Sequence, residues 1–147
     1  MKKPVNFLLI EDNNTDIKIT QLVFKKANLN NTLMVVKTGE EALQYLKGKD
    51  PYGDPEHYPK PDVILLDIKM PGIDGFDTTE HIRNLDKYRD IPIIILTTSV
   101  RADDVNKSFN VGADDYIPKP VTVENLLSAL SKLGFSLTVF NNGGEIS

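Results

Sequence analysis

Short runs of apolar residues alternate along the chain with segments in which apolar residues recur every three or four positions. The run from Val63 to Leu66 lies between Pro61 and the pair Pro71-Gly72. A short apolar run bounded by turn residues indicates a strand buried on both faces. Similar runs predict four more strands, and the segments between them have helical spacing. The predicted strands are 5–10, 32–37, 63–67, 91–96 and one centred on 116–117; the predicted helices are 15–27, 39–47, 74–86, 101–111 and 123–133.

A strand followed by a helix, repeated five times, predicts an α/β fold with a parallel sheet and helices on both faces. Right-handed crossovers leave few topologies, and we expect the flavodoxin-like (βα)5 doubly wound sheet with strand order 2-1-3-4-5. In that order the first and third strands flank the switch point, where ligands collect. Glu11 and Asp12 follow the first strand, and Asp67 ends the third. The pattern therefore predicts a functional site at the carboxyl edge of the sheet.

The apolar positions also predict which residues face the core. Strand 32–37 is expected to be buried, and Leu22 is expected to widen the inward face of the first helix. Phe109 stands one turn after Val105 on the fourth helix. Helix ends are indicated by polar N-caps and by glycines. The expected caps are the polar residues around Asn13, Thr122 before the last helix, and Gly112 and Gly134 after the fourth and fifth helices.

Composition and charge narrow the class of protein. The 147 residues are 40% hydrophobic, which fits one folded domain. A net charge of −4 argues against a nucleic-acid-binding protein. There is no cysteine, so disulfides and thiolate metal sites are excluded. The apolar stretch near the start is too short for a signal peptide or a membrane span, and a cytoplasmic protein is expected.

Four strand ends are expected to meet at the predicted site: Glu11-Asp12, Asp67, Thr97 and Lys119. Three neighbouring carboxylates repel one another and need a cation, and oxygen ligands favour Mg²⁺. With the lysine charge and the threonine hydroxyl, such a site can neutralise a phosphoryl group. A carboxylate can itself be the nucleophile and form an aspartyl phosphate. Singly, Asp67 and Thr97 are also ordinary caps and Lys119 an ordinary solvated lysine; together they favour the functional interpretation.

A spaced set of motifs extends over residues 5–133. It consists of Glu11-Asp12, Asp67-x-x-Met70-Pro71-Gly72-x-x-Gly75, Thr97, Gly112-Ala113-Asp114-Asp115-Tyr116 and Lys119-Pro120. This set resembles the receiver domain of two-component response regulators. The resemblance implies that Asp67 accepts a phosphoryl group from a histidine kinase in phosphorelay signal transduction. It also implies Mg²⁺ bound by Asp12, Asp67 and the backbone carbonyl of Lys69, with Glu11 acting through water. Thr97 and Lys119 would contact the phosphoryl oxygens, Tyr116 would be an aromatic switch, and Lys119-Pro120 would be a cis bond.

Three features resemble the stand-alone regulators that pair with bacterial phytochromes: the loop 48–61, the run 96–99 and the tail 135–139. We therefore expect a receiver domain at 1–134 and an extension at 135–147 without an output domain. Output would be protein–protein contact, with a downstream protein partner and with a second copy as a homodimer. The expected chemistry is limited to phosphotransfer to the protein itself and autodephosphorylation, so no other enzyme activity is expected.

Other interpretations stay open at this point. A haloacid-dehalogenase-type phosphatase also uses a nucleophilic aspartate, but Lys69 stands where that family needs a second acid. A receiver-like binding module without phosphorylation is a further alternative, and a flavin site lacks its Ser/Thr/Gly-rich loop. Tyr116 could be plain edge packing. The loop 48–61 is expected at the opposite sheet edge, as filler or a partner surface, and His57 and His81 are expected on the surface and not as ligands.

Overall fold

Five parallel strands form the centre of the protein, in the order β2-β1-β3-β4-β5. The computed structural model describes residues 4–29, 31–99, 101–135, 139–141 and 144–146. The strands of this sheet are Val5–Ile10 (β1), Asn31–Val36 (β2), Val63–Asp67 (β3), Ile93–Thr97 (β4) and Asp115–Pro118 (β5). The helices are Asn14–Ala27 (α1), Gly39–Lys47 (α2), Gly75–Arg83 (α3), Ala102–Asn110 (α4) and Val123–Lys132 (α5), with a 3-10 turn at Asp86–Tyr88. A separate antiparallel pair joins Val139–Asn141 (β6) to Gly144–Ile146 (β7).

The strand order and the parallel pairing confirm the predicted doubly wound fold. β1 pairs with β2 on one side and with β3 on the other. β3 also pairs with β4, where Asp67 lies opposite Leu96, and β4 pairs with β5, where Thr97 lies opposite Pro118. Because the strands are parallel and nearly in register, their carboxyl ends meet at one edge of the sheet.

Helices cover both faces of the sheet, which explains the unbroken apolar runs. Side chains alternate along a strand, so Ile64 and Leu66 pack into one layer while Val63 and Leu65 pack into the other. All four of these side chains are fully buried. A strand with two buried faces needs apolar residues at successive positions, as β3 and β4 have.

The predicted helix ends are confirmed by the backbone. The side chain of Asn13 accepts a hydrogen bond from the Asp16 backbone N–H, and Thr122 caps α5 in the same way. Gly112 and Gly134 have φ angles of 108° and 86° after α4 and α5. The Lys119–Pro120 peptide bond is cis, as the resemblance implied.

Three predictions about burial and length were wrong. β2 is half-buried, and only Val36 within it is buried, because it is an edge strand with one neighbour. Leu22 is 56% exposed because it lies about 140° around α1 from the buried Ile17. The helix expected at 74–86 ends at Arg83, since its last residues turn into the 3-10 segment.

The loop 48–61 lies at the amino-terminal edge of the sheet, as expected. The Asn6 side chain, at the start of β1, donates a hydrogen bond to the Lys60 carbonyl at 3.2 Å. Tyr52 and Tyr58 pack on Tyr45 of α2, with ring centroids 5.2 and 5.9 Å from it. The loop is therefore folded onto α2 by aromatic contacts.

The remaining expectations concern the surface and the tail. His57 and His81 are both exposed, as expected, and His57 bonds to Asp54 in its own loop at 2.7 Å. Residues 136–138 of the predicted alternating tail lie outside the described residues. None of the helices in the described part of the chain is long and apolar enough to cross a membrane.

Candidate functional site

A cleft of about 260 Å³ opens at the carboxyl edge of the sheet, beside the end of β3. Asp67, the last residue of β3, is 7% exposed and faces this cleft from the middle of the sheet. A charged side chain this well buried is unusual unless it is paired or binds a ligand. The residues that line this site cleft are Asp12, Asn13, Asp16, Asp67, Lys69, Thr97, Thr98 and Lys119.

β1 brings two further carboxylates to the same place. The Glu11 backbone N–H donates to the Val36 carbonyl at 2.9 Å, so the chain stays extended until it reaches the cleft. The Glu11 side chain is 1% exposed, whereas Asp12 is partly exposed. One carboxylate oxygen from each of Glu11, Asp12 and Asp67 lies within 4.8 Å of the others. The predicted convergence of three acids is therefore present in the structure.

Lys119 reaches this acidic cluster from the loop after β5. Its Nζ atom lies 2.5 Å from Glu11 Oε1 and 3.2 Å from Asp67 Oδ1. A third carboxylate, that of Asp16, lies at 2.9 Å. The Lys119 backbone N–H donates to the Thr97 carbonyl at 2.7 Å, which fixes the lysine backbone against the end of β4. The ammonium thus neutralises part of the charge that the acids concentrate there.

Burial and charge shift the proton affinity of Glu11 and Lys119 upward. The pKa of Glu11 is raised to about 7, mainly because the carboxyl group is buried; the hydrogen bond from Lys119 opposes this rise and the nearby Asp67 carboxylate adds to it. For Lys119, burial alone would lower the pKa. Hydrogen bonds to Glu11 and Asp16, with the charge of Asp67, outweigh that effect and raise the pKa above its usual range. The lysine therefore stays protonated and cationic in this environment.

The donor atoms of the acidic cluster fit a hard divalent cation. All three side chains offer carboxylate oxygen, the ligand type that Mg²⁺ prefers, and no cysteine is present in the chain. Asp12 and Asp67 line the cleft directly, so an ion bound there could keep water ligands on its open side. Lys69, whose backbone carbonyl was expected as a ligand, lines the same cleft.

Thr97 is buried at the end of β4 and lines the cleft. Its Oγ1 atom accepts a hydrogen bond from the Ser99 backbone N–H at 2.9 Å. Ser99 in turn donates from its hydroxyl to Asp104 of α4 at 2.6 Å. The threonine hydroxyl is therefore joined through one loop residue to the first turn of α4.

Among the predicted site residues, Glu11 and Tyr116 do not line the site cleft. The Glu11 carboxylate nevertheless belongs to the acidic cluster, whereas Tyr116 lies apart from it. Tyr116 is half-buried on β5, and its ring meets the Phe109 ring edge-on with centroids 6.2 Å apart. Any influence of Tyr116 on the acidic cluster must therefore be indirect, through the packing of β5 and α4.

Asp16 was not predicted as a site residue, yet it contacts Lys119. It is in the first turn of α1, where Asn13 caps its backbone N–H. Asp16 follows Asp12 by four residues, about one helical turn. This spacing was the one indication in the sequence that Asp16 could lie near the acidic cluster. The signal is weak because an acid in a first turn is also explained by the helix dipole.

Gly75, the first residue of α3, packs directly against the end of β3. Its backbone N–H donates to the Ile68 carbonyl at 2.7 Å. A Cβ atom at this position would lie 2.5 Å from the Asp67 carbonyl oxygen and 2.6 Å from the Ile68 Cα. A glycine is therefore required for α3 to begin so close to the residue that carries the central carboxylate.

Comparison with known proteins gives consistent matches. The family model described as the response regulator receiver domain matches residues 7–131. Response regulator Rcp1 of Synechocystis is 31% identical over 123 residues, which cover 84% of this chain and 82% of Rcp1. The bacteriophytochrome response regulator RtBRR has a TM-score of 0.82 and 33% identity, over 96% of this chain and 84% of its own. The Mn²⁺-bound form of Rcp1 has a TM-score of 0.71 and 29% identity, over 88% and 91% of the two chains.

Proposed function

Because this chain belongs to the response regulator receiver family, we propose that it accepts a phosphoryl group on Asp67 from a histidine kinase. The observation that carries the proposal is the position of Asp67. Its carboxylate ends the central strand, faces the site cleft and lies 3.2 Å from the ammonium of Lys119. A nucleophile, a fixed cation and an acidic pocket for a metal ion are the parts that phosphoryl transfer needs.

In the proposed reaction, a carboxylate oxygen of Asp67 attacks the phosphorus of a phosphohistidine. The new P–O bond forms as the P–N bond breaks, and the electron pair returns to the imidazole nitrogen. Lys119 would stabilise the charge on the phosphoryl oxygens, and the Thr97 hydroxyl would donate to one of them. The partial burial of the cleft favours this chemistry because charges interact more strongly where water is excluded.

The acidic cluster supports a proposed Mg²⁺ cofactor. Asp12, Asp67 and the Lys69 backbone carbonyl would hold the ion, with Glu11 acting through water. When bound, Mg²⁺ would supply charge neutralisation of the transferred group. A relative offers indirect support, since one Rcp1 structure contains Mn²⁺.

Thr97 and Tyr116 are proposed to transmit the phosphorylated state. The Thr97 hydroxyl now accepts a hydrogen bond from the Ser99 backbone N–H. To reach a phosphoryl oxygen, it would turn away from that N–H. That would loosen the Ser99 link to Asp104 of α4. Tyr116 would then repack against Phe109, a large and partly exposed side chain on the same surface. The surface of α4, β5 and α5 would change its affinity for protein partners.

We propose protein–protein contact as the output, with a receiver at 1–134 and an extension at 135–147 as predicted from the sequence. The bacteriophytochrome regulator RtBRR and the phytochrome response regulator RcpA are similar in structure, with TM-scores of 0.82 and 0.75. They support a place for this protein downstream of a photoreceptor kinase. A homodimer is also proposed, and light scattering on the purified protein tests it.

Labelling with acetyl phosphate and Mg²⁺, followed by intact-mass measurement, tests the central proposal. Wild-type protein should gain one phosphoryl group, and Asp67→Asn should gain none. Asp77→Asn, which removes an exposed acid from the first turn of α3, is the control and should label normally. Labelling that persists in Asp67→Asn would rule out Asp67 as the acceptor. A folded wild-type protein that takes up no phosphate would favour the binding-only alternative.

A further inference from the structure

The Lys119 ammonium donates hydrogen bonds to Glu11 and Asp16 and forms an ion pair with Asp67. A lysine ammonium carries three N–H donors and no acceptor. Three carboxylates surround Nζ, at 2.5 Å (Glu11), 2.9 Å (Asp16) and 3.2 Å (Asp67). The lysine side chain is only 9% exposed, so water does not compete freely for these donors. The orientation of the ammonium is therefore set by three acids together.

Two of these acids are attached to rigid parts of the fold. Glu11 is buried at the end of β1, and its second oxygen accepts from the Asn13 backbone N–H at 3.2 Å. The Asp16 backbone is held on both sides: its N–H donates to the Asn13 side chain, and its carbonyl accepts from the Thr20 hydroxyl at 2.9 Å. Glu11 and Asp16 thus present fixed acceptors to Lys119, whereas Asp67 is the group proposed to react.

We infer that Asp16 is a positioning residue for phosphoryl transfer: with Glu11, it occupies two donors of Lys119 and so holds the ammonium beside Asp67, with the third donor left for the reacting oxygens. The inference rests on the function proposed above and assigns a residue that the motif set did not contain. Once Asp67 carries a phosphoryl group, the third donor would pass to a phosphoryl oxygen without any change at the other two. Asp16 itself touches neither Asp67 nor the transferred group in this scheme.

Loss of the Asp16 carboxylate would leave one ammonium donor without its acceptor. Lys119 would then be free to turn towards Glu11 or solvent, and its charge would be less well placed for the transition state. Asp16→Asn keeps an oxygen that can accept a hydrogen bond but removes the charge. We therefore expect Asp16→Asn to position the Lys119 ammonium less well than wild type but better than Asp16→Ala.

The chain offers a closely matched control. Asp77 occupies in α3 the position that Asp16 occupies in α1, because each backbone N–H is capped by the residue three positions earlier. Both are acids in a first helical turn, so both interact with the helix dipole. Asp77 is exposed and forms no ion pair among the described residues. Asp77→Ala therefore reproduces the helix effect without the contact to Lys119.

The first experiment measures the initial rate of labelling at varied acetyl phosphate concentrations in saturating Mg²⁺. We expect Asp16→Ala to lower the maximal rate about 10-fold, short of the roughly 100-fold that a misplacement of about 1 Å can cost. The acetyl phosphate concentration that gives half the maximal rate should change less than the maximal rate does. The maximal rate of Asp16→Asn should lie between those of wild type and Asp16→Ala, and that of Asp77→Ala should match wild type. If wild type labels normally and Asp16→Ala labels as fast as Asp77→Ala, the inference is overturned while the proposed function stands.

The second experiment needs no phosphorylation. In protein labelled with ¹⁵N-lysine, a held ammonium gives a slowly exchanging Nζ signal, which Lys119→Arg would assign by its loss. We expect this signal in wild type and Asp77→Ala and its loss in Asp16→Ala. An equally persistent signal in Asp16→Ala would contradict the role of Asp16. Absence of labelling in a wild type that shows the held signal would instead count against the proposed function.

Discussion

At the residue scale, the environment of Asp67 depends on the absence of a side chain at Gly75. The atoms that an added Cβ would meet belong to the backbone of Asp67 and Ile68, so they cannot rotate away. We expect Gly75→Ala to lower the free energy of unfolding by about 1–3 kcal/mol, the usual cost of overpacking, and to slow labelling of Asp67. Urea denaturation and acetyl phosphate labelling measure the two effects.

The control for that substitution is Gly53→Ala in the loop 48–61. The nearest atom to a Cβ there is the Gly48 carbonyl oxygen at 3.5 Å, an ordinary contact. Its stability should change by less than about 0.5 kcal/mol, as for most surface substitutions. Equal stability losses in the two alanine variants would show that the packing of α3 on β3 is not as tight as these distances indicate.

The site residues differ in how far the sequence alone could locate them. Asp67, Glu11 and Thr97 each end an apolar run, so strand prediction and a parallel topology place them at one edge. Lys119 also follows a predicted strand, so its approach to Glu11 and Asp67 was expected, whereas its ion pair with Asp16 was not. The Asp16 contact depends on how the first turn of α1 faces the loop after β5. That is a tertiary distance, and hydrophobic periodicity does not encode it.

At the element scale, Arg83 joins the end of α3 to the segments before β4 and β5. Its guanidinium donates to the Gly112 carbonyl at 2.7 Å and the Ile91 carbonyl at 2.6 Å, and pairs with Asp114 at 3.0 Å. Lysine cannot reproduce this planar set of donors. We expect Arg83→Lys to lower the free energy of unfolding by about 2–3 kcal/mol, because several partly buried carbonyls lose their partner.

Arg89→Lys is the matched control for Arg83, measured by the same urea denaturation. Arg89 pairs with Asp86 at 2.9 Å, but the two side chains are 66% and 92% exposed. Exposed pairs of this kind contribute about 1 kcal/mol at most, and a lysine can replace the charge. A stability loss for Arg83→Lys no larger than that for Arg89→Lys would mean that Arg83 does not hold these elements together.

The tyrosines that pack the loop 48–61 onto α2 predict that the stability of the protein depends on pH in the alkaline range. Burial raises the pKa of Tyr45 to about 12 from an ordinary value of 10.0, and burial with the Glu41 hydrogen bond does the same for Tyr52. Between pH 10 and 12 the unfolded chain therefore releases phenolic protons that the folded chain retains. The free energy of unfolding should fall as pH rises through this range.

Urea denaturation of Tyr45→Phe at a series of pH values tests this assignment. The variant also loses the hydrogen bond to the Pro59 carbonyl, so its stability at neutral pH should drop by about 1 kcal/mol. Its decline above pH 10 should nevertheless be shallower than that of wild type, because one shifted phenol is missing. Parallel curves for the two proteins would show that Tyr45 does not titrate as its burial indicates.

The bounds of β1 and β3 were predicted to the residue because a continuous apolar run has sharp ends. β2 carries a similar run but is an edge strand, and its half-burial follows from the strand order and not from its own residues. Tyr45 is buried although its position on α2 was not assigned to the core, since the loop 48–61 covers it. Long-range coverage of this kind has no local signal in the sequence.

At the scale of the whole molecule, the acidic cluster opposes folding unless a cation balances it. The chain has a net charge of −4, and Glu11, Asp12 and Asp67 bring three carboxyl groups within 4.8 Å of one another. Without divalent ions, Asp12→Asn should therefore raise the free energy of unfolding, by about 1 kcal/mol for a partly exposed site. With Mg²⁺, wild type should become more stable than Asp12→Asn. Binding of an ion to the folded state stabilises it by about 2.7 kcal/mol when the ion concentration is 100 times Kd.

Thermal unfolding with and without Mg²⁺ measures how the ion changes the stability of wild type and of Asp12→Asn. Wild type should gain several degrees in Tm from Mg²⁺, and Asp12→Asn should gain much less because it has lost a ligand. Asp77→Asn changes the net charge equally but lies outside the cluster, so it should respond to Mg²⁺ as wild type does. An equal response of the two variants would mean that Mg²⁺ acts by general screening. A selective loss in Asp12→Asn would mean that the acids which destabilise the free protein are the ones that bind the ion.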